Sequence, residues 1–124
     1  MNVIILGASI HADRYSNMAQ SSLLRNGHNV ILVTPNYKEI EGIKTLPSIS
    51  NVNEQVEVVT VYVNPSISSK LKDELLTCTA STFIFNPGSE NPSVEMYLSQ
   101  NGKKVIRACT LVLLSTGQFD SVIS

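Results

Sequence analysis

Three small residues near the start of the chain, Gly7, Ala8 and Ser9, form the motif with the clearest chemistry. They follow an apolar run, residues 3–6, that is typical of a strand buried on both faces, and a helical pattern follows them. Small side chains let a phosphate group approach backbone N–H groups at a helix N-terminus, where the helix dipole also favours negative charge. The loop therefore predicts a phosphate-bearing ligand. It departs from a dinucleotide fingerprint, because Ser9 and Ala12 stand where that fingerprint has glycine.

Two cations flank this loop in the predicted fold. Arg14 directly precedes the first helix, and Lys38 lies just beyond the second strand. An NAD site usually places a carboxylate at the end of that strand to hold the ribose, but none occurs before Glu39. Cations at these places suit a multiply phosphorylated ligand such as coenzyme A or NADP. We expect Arg14 at the diphosphate and Lys38 at the ribose end.

Residues typical of stiff, polar turns recur where the other strands end. Asn side chains at such positions could donate hydrogen bonds to a base or a ribose, while Pro keeps the loop rigid. In a parallel sheet these loops share the carboxyl edge, where such folds bind their ligands. The residues predicted to surround the ligand there are Pro35, Asn36, Asn64, Pro65, Asn86, Pro87 and Gly88.

The residues that could act in catalysis form no recognisable constellation. The two histidines are His11, in the first loop, and His28, which we expect at the opposite edge of the sheet. Glu90 is expected to complement the N-terminus of a following helix, and Cys109 to be a small packed thiol. With no Ser-His-Asp order and no metal-ligand cluster, the sequence predicts neither a catalytic residue nor a metal site.

The composition fits one small domain over residues 1–124. The net charge of −1 and the pI of about 6.1 provide no basic surface for nucleic acid. No apolar run approaches the length of a membrane span and no secretory signal is evident, so we expect a cytoplasmic protein without a membrane contact. Cys78 and Cys109 lack CxxC or zinc-finger spacing and are expected to be free thiols.

Strands and helices alternate along the whole sequence. The pattern predicts strands over 2–7, 29–34, 56–63, 82–85 and 104–106, with helices over 14–26, 66–76 and 92–100. Residues 37–56 are expected to be irregular, and residues 111–114 to pack as a terminal extension. Uninterrupted apolar strands between helices predict an α/β fold, a doubly wound sheet of about five mostly parallel strands with helices on both faces.

Several motifs in register resemble the family of stand-alone CoA-binding domains. They include Gly7-Ala8-Ser9, Arg14-Tyr15-Ser16-Asn17, Val33-Thr34-Pro35-Asn36, Val61-Tyr62-Val63-Asn64-Pro65 and Asn86-Pro87-Gly88-Ser89-Glu90. The resemblance covers residues 2 to about 110 and implies a Rossmann-like fold similar to the CoA-binding domain of the succinyl-CoA synthetase α subunit. It implies coenzyme A as the ligand, with the first loop and the Arg14, Tyr15 and Ser16 motif at its phosphates. The other strand-end loops would surround the rest of the molecule.

The chain departs from that family at Arg107-Ala108-Cys109, because many relatives place Arg directly before Cys, so the resemblance assigns no role to Arg107 or Cys109. The synthetase relatives also carry a second domain with a phosphorylated histidine, and we expect no such domain in these 124 residues. We therefore expect a small non-catalytic cytosolic protein that binds coenzyme A or a short acyl-CoA, with no particular protein partner indicated. The alternatives are an NAD(P)-dependent oxidoreductase or other nucleotide-binding enzyme, and an interaction domain with a degenerate pocket.

Overall fold

A seven-stranded sheet flanked by helices forms the protein, as seen in a computed structural model that describes residues 1–123. The strands are β1 (Asn2–Leu6), β2 (Asn29–Val33), β3 (Glu39–Ile40), β4 (Ile43–Leu46), β5 (Val58–Val61), β6 (Thr82–Phe85) and β7 (Lys104–Arg107). The helices are α1 (Tyr15–Arg25), α2 (Pro65–Lys70), α3 (Lys72–Thr77), α4 (Pro92–Gln100), α5 (Thr110–Ser115) and α6 (Phe119–Ile123). A short 3-10 helix, Ile49–Asn51, follows β4. The predicted α/β class is confirmed.

The strands lie in the order β3-β4-β2-β1-β5-β6-β7, and every neighbouring pair except β3–β4 is parallel. From β1 the chain first builds outward through β2 and then returns to place β5 on the other side. This reversal creates a crevice at the carboxyl ends of β1, β2 and β5, which is where open α/β sheets bind ligands.

The prediction of about five strands is too low, because residues 37–56 contain a hairpin. Strands β3 and β4 are joined by Glu41 and Gly42, whose φ angles are 51° and 82°. Two consecutive positive φ angles are typical of a type I′ turn, which is usually signalled by Asn-Gly or Asp-Gly. Glu in the first position hides this signal, so the segment was predicted to be irregular.

Helix boundaries also differ from the prediction in instructive ways. The helix predicted to begin at residue 66 begins at Pro65, because Asn64 is the N-cap: its Oδ1 accepts a hydrogen bond from the Ile67 N–H at 3.1 Å. The single helix predicted over 66–76 is interrupted at Leu71, where φ is −101° and ψ is 4°. Residues 111–114 belong to helix α5. Among the helices of residues 1–123, none combines the length and apolar character that a membrane crossing requires.

Two apolar layers hold the sheet between its helices. Along β1, Ile4 and Leu6 face the layer that contains residues of α3 and α4, while Val3 and Ile5 face the layer built with α1, α5 and α6. Residues 3–6 of β1 are therefore buried on both faces, as their uninterrupted apolar run predicts. Because β1 is packed against apolar side chains on both faces, it holds the start of the following loop in a fixed position.

Candidate functional site

A cavity of about 680 Å³ opens at the carboxyl edge of the sheet, over the reversal point at β1. Its walls come from the loops that follow β1, β2, β4, β5 and β6. The residues predicted from the sequence that line this cavity are Gly7, Ala8, Ser9, Arg14, Tyr15, Ser16, Pro35, Asn36, Asn64, Pro87 and Gly88. The fold thus gathers residues from several distant loops around one space.

Gly7 forms part of the cavity floor in a conformation that suits glycine. Its φ is +92°, and its N–H donates to the carbonyl oxygen of Val33 at 3.0 Å, which ties the first loop to β2. A Cβ atom at this position would lie 3.0 Å from Cγ1 of Val63 and 3.3 Å from the carbonyl carbon of Tyr62. The close approach to the chain after β5 explains the need for glycine, independently of any ligand.

The backbone at the start of α1 has unused hydrogen-bonding capacity. Arg14 occupies the N-cap position without a capping side-chain hydrogen bond, and the first turn has no acidic residue. Within residues 1–123, the N–H groups of Ala8, Ser9, Tyr15 and Ser16 donate no hydrogen bond. Free N–H groups and the positive end of a helix dipole together form an anion-binding arrangement.

The loop that carries these amides is held by its own side chains. Ser9 Oγ accepts a hydrogen bond from the His11 N–H at 3.1 Å, and the Ser9 carbonyl oxygen accepts one from Asn17 Nδ2 at 2.8 Å. Asn17 is itself buried on α1. The loop is therefore anchored to the helix that it precedes, and its free amides keep a fixed direction.

The charge distribution around the cavity favours an anion. None of the described residues that line it is Asp or Glu, while Arg14 and His11 are both present. A negatively charged ligand would meet no like charge at the wall, so the electrostatic energy of the wall groups favours its entry.

The cavity also has an apolar wall, which the sequence pattern does not predict. It consists of Leu6, Val33, Ile49, Val63, Ile67 and Leu71. Ile67 and Leu71 lie one helical turn apart at the start of the helical region after Asn64-Pro65. Ile67 is 41% exposed, so part of this apolar lining is accessible to a ligand. Such a surface can bury the flat face of a base or an alkyl segment.

An aromatic pair, also outside the predicted site, lies on the β2 side of the cavity. The rings of His11 and Tyr37 meet edge to face, with centroids 6.4 Å apart and planes at 82°. The Tyr37 carbonyl oxygen accepts a hydrogen bond from Thr45 Oγ1, which connects this residue to β4. The pair links the loop after β1 with the loop after β2.

Three predicted residues, Lys38, Pro65 and Asn86, do not line the cavity. Lys38 is exposed just before β3. Pro65 is the first residue of α2, and its carbonyl oxygen accepts a hydrogen bond from Asn91 Nδ2 at 3.0 Å.

Asn86 is 2% exposed and is used internally. Its Nδ2 donates to Thr60 Oγ1 at 2.7 Å and to the Val61 carbonyl oxygen at 3.0 Å, while its Oδ1 accepts from the Thr110 N–H at 2.8 Å. This side chain joins β5, β6 and α5, so its polar groups are already satisfied by the fold.

Burial shifts the pKa values of two further groups, His28 and Tyr62. His28 Nδ1 lies 3.1 Å from the N-terminal amine, and burial followed by that positive charge lowers the pKa of His28. Burial raises the pKa of the Tyr62 hydroxyl to about 12, so this group stays protonated at neutral pH.

The cysteines and carboxylates give no reactive or metal-binding cluster either. Cys78 and Cys109 are free thiols. In the part of the chain that the structure describes, no group of three His, Cys, Asp or Glu side chains could hold a metal ion.

Comparison with known proteins places the chain among relatives of the same fold. The CoA binding domain family matches residues 1–115. An uncharacterized protein of Bacillus subtilis (strain 168), YneT, is 25% identical over 104 residues, which cover 84% of this chain and 77% of that protein.

Solved structures agree with this grouping. The crystal structure of an uncharacterized protein has a TM-score of 0.84 at 35% identity and covers 95% of this chain and 97% of its own. The dinucleotide-forming acetyl-coenzyme A synthetase 1 of Ca. Korarchaeum cryptofilum shares the fold, with a TM-score of 0.72 at 18% identity. The similarity covers 84% of this chain and 25% of that synthetase.

Proposed function

The chain belongs to the CoA-binding domain family, and we propose that it binds coenzyme A or a short acyl-CoA in the cavity at the carboxyl edge of its sheet. The observation that carries this proposal is the start of α1, where free N–H groups open into a cavity without acidic residues. Coenzyme A is strongly anionic, and its diphosphate needs such donors. The carboxyl edge of the sheet is also where this fold class binds nucleotides.

The diphosphate is proposed to contact the first loop and the start of α1. Gly7, Ala8 and Ser9 allow close approach, the amides of Tyr15 and Ser16 donate, and Arg14 supplies a permanent positive charge. Because β1 lies between β2 and β5 in the sheet, the two ends of the ligand would extend in opposite directions from the loop after β1.

The adenosine end is proposed to lie toward β2, beside Pro35 and Asn36, with the base against the apolar wall. The pantetheine end would run past Asn64 toward Pro87 and Gly88. In this arrangement Pro65 and Asn86 act by holding the strand-end loops, and Lys38 lies beyond the wall.

A nucleotide-dependent oxidoreductase is a weaker candidate. NAD recognition needs a carboxylate near the end of β2 to accept hydrogen bonds from the ribose hydroxyls. The cavity wall offers Pro35, Asn36 and Tyr37 at that place and no acidic side chain. We therefore propose a binding protein without its own catalytic residues, since among the described lining residues no side-chain hydrogen bond pairs a hydroxyl with the His11 imidazole.

A thermal-shift panel of coenzyme A, acetyl-CoA, NAD, NADP, ATP and FMN tests the proposed ligand. Coenzyme A at 100 times its dissociation constant should add about 2.7 kcal/mol to the free energy of unfolding. The Ser9→Leu variant, whose side chain would fill the phosphate approach, should lose at least about ten-fold in affinity while it keeps the wild-type circular dichroism.

Ser99→Leu is the matched control, because Ser99 is exposed on α4 and lies outside the cavity wall. It should bind like the wild type. A shift with NAD but not with coenzyme A, or unchanged binding by a folded Ser9→Leu variant, would overturn the proposal.

A further inference from the structure

Coenzyme A differs from dephospho-CoA by one ribose phosphate, and this phosphate needs a partner of its own. This inference rests on the proposed function, in which Arg14 and the free amides bind the diphosphate. Among the described residues of the cavity wall, the basic side chains are Arg14 and His11. His11 is therefore the remaining basic group at the wall that could meet the ribose phosphate.

The position of His11 agrees with this role. Its ring packs edge to face against Tyr37, with centroids 6.4 Å apart, and so lies on the β2 side of the cavity. In doubly wound folds the ribose of a bound nucleotide lies at the end of the second strand. The imidazole thus stands between the diphosphate loop and the place proposed for the ribose.

The backbone holds His11 in this place before any ligand arrives. Its N–H donates to Ser9 Oγ at 3.1 Å, and its carbonyl oxygen accepts from the Arg14 N–H at 3.0 Å. The loop also bonds to α1 through Asn17, so the backbone at residue 11 is fixed, and the contact with Tyr37 orients the imidazole. A preset donor loses little conformational freedom when it binds.

We propose that the His11 imidazole donates a hydrogen bond to the ribose phosphate and sets the preference for coenzyme A over dephospho-CoA. Imidazole donates through a ring N–H in its neutral form and through both nitrogens when charged. The sequence favoured Lys38 for this contact. That side chain is exposed before β3 and is absent from the cavity wall, so the structure favours His11.

Calorimetry with coenzyme A and dephospho-CoA tests this assignment on three proteins. The wild type should bind coenzyme A at least about ten-fold more tightly, as expected for one charge-assisted hydrogen bond. His11→Phe keeps an aromatic ring against Tyr37 but removes both donors, and should reduce that ratio to near one. Lys38→Met keeps the length of the side chain without its charge, and should retain the wild-type ratio.

The outcomes separate this inference from the proposed function. A wild-type ratio that persists in His11→Phe, or one that collapses in Lys38→Met, overturns the role of His11 while coenzyme A binding stands. Failure of the wild type to bind either compound overturns the proposed function and the inference with it. A preserved wild-type circular dichroism spectrum in both variants excludes unfolding as the cause of a changed ratio.

Discussion

The two halves of the carboxyl edge use similar residues in opposite ways. In the open half, the loops after β1 and β2 (residues 7–14 and 34–37), several backbone N–H groups have no partner and face a cavity. In the locked half, the loops after β5 and β6 (residues 62–64 and 86–91), the side chains of Asn64, Asn86 and Asn91 bond to neighbouring strands and helices. Both halves contain Asn beside Pro at a strand end.

Asn36 and Asn86 show what this difference teaches. Asn36 is exposed at the cavity wall, whereas Asn86 is buried and bonded through both of its side-chain polar atoms. The same two residue types therefore form an exposed turn at the cavity wall in one place and hold the fold together internally in the other. A polar residue at a strand end is available to a ligand only when the neighbouring strands and helices leave it unsatisfied.

The largest effect should follow substitution of Asn86. Asn86→Ala removes the acceptor of the buried Thr110 N–H and the donor to Thr60 Oγ1, so it should lower the free energy of unfolding by about 2–4 kcal/mol. Asn36→Ala is the control and should stay within about 0.5 kcal/mol of the wild type. Urea denaturation measures both. Equal stability of the two variants would show that the internal bonds of Asn86 do not stabilise the fold, and the two halves would then not differ as described.

A pair of glycines provides the next test. Gly7→Ala must keep a φ of +92° and place Cβ at 3.0 Å from Val63 Cγ1, so it should cost about 2–3 kcal/mol. Gly88 has a similar φ of +93° but no atom within 4 Å of such a Cβ. Gly88→Ala should therefore cost only about 1 kcal/mol, the conformational part alone. Thermal unfolding distinguishes these values, and equal losses would show that the contact with Val63 is relieved by a small shift.

The smallest expected effect concerns Glu90 and acid. Hydrogen bonds from its own backbone N–H and from that of Gly88 lower the pKa of this exposed carboxyl. A lowered folded pKa adds stability at neutral pH, and this stability is lost as the pH falls below the ordinary range of Glu. The melting temperature of Glu90→Gln should thus change slightly less than that of the wild type between pH 7 and about pH 3. Identical pH profiles of the two proteins would show that the hydrogen bonds of the Glu90 carboxylate do not contribute to stability.

The parallel core and the first loop could be predicted from the sequence, since both depend on local patterns. Residues 3–6 form an unbroken apolar run, and Gly7, Ala8 and Ser9 mark the loop after it. The hairpin of β3 and β4 could not be predicted, because its turn carries Glu41 where Asn or Asp is the usual signal. The pairing of β4 with β2, which is a long-range contact, determines that this segment forms strands.

The site was less predictable than the core for the same reason. The apolar character of Ile67 and Leu71 does not reveal that they face a cavity, because the same stripe would serve a buried helix. The internal bonding of Asn86 depends on Thr60 and Thr110, which are distant in sequence. Residue type indicated polarity at the strand end, and only the tertiary structure shows which partner satisfies it.

The uncapped start of α1 also defines a trade-off for anyone who would engineer this protein. Ser, Asp or Asn in place of Arg14 could satisfy one free amide and stabilise the helix by about 1 kcal/mol. The same change would remove a cation and bring the chain's own oxygen to the amides that an anion would use. The stability of the unliganded protein and its affinity for an anion therefore impose opposite demands on residue 14. A variant stabilised by a new N-cap there should bind an anion more weakly.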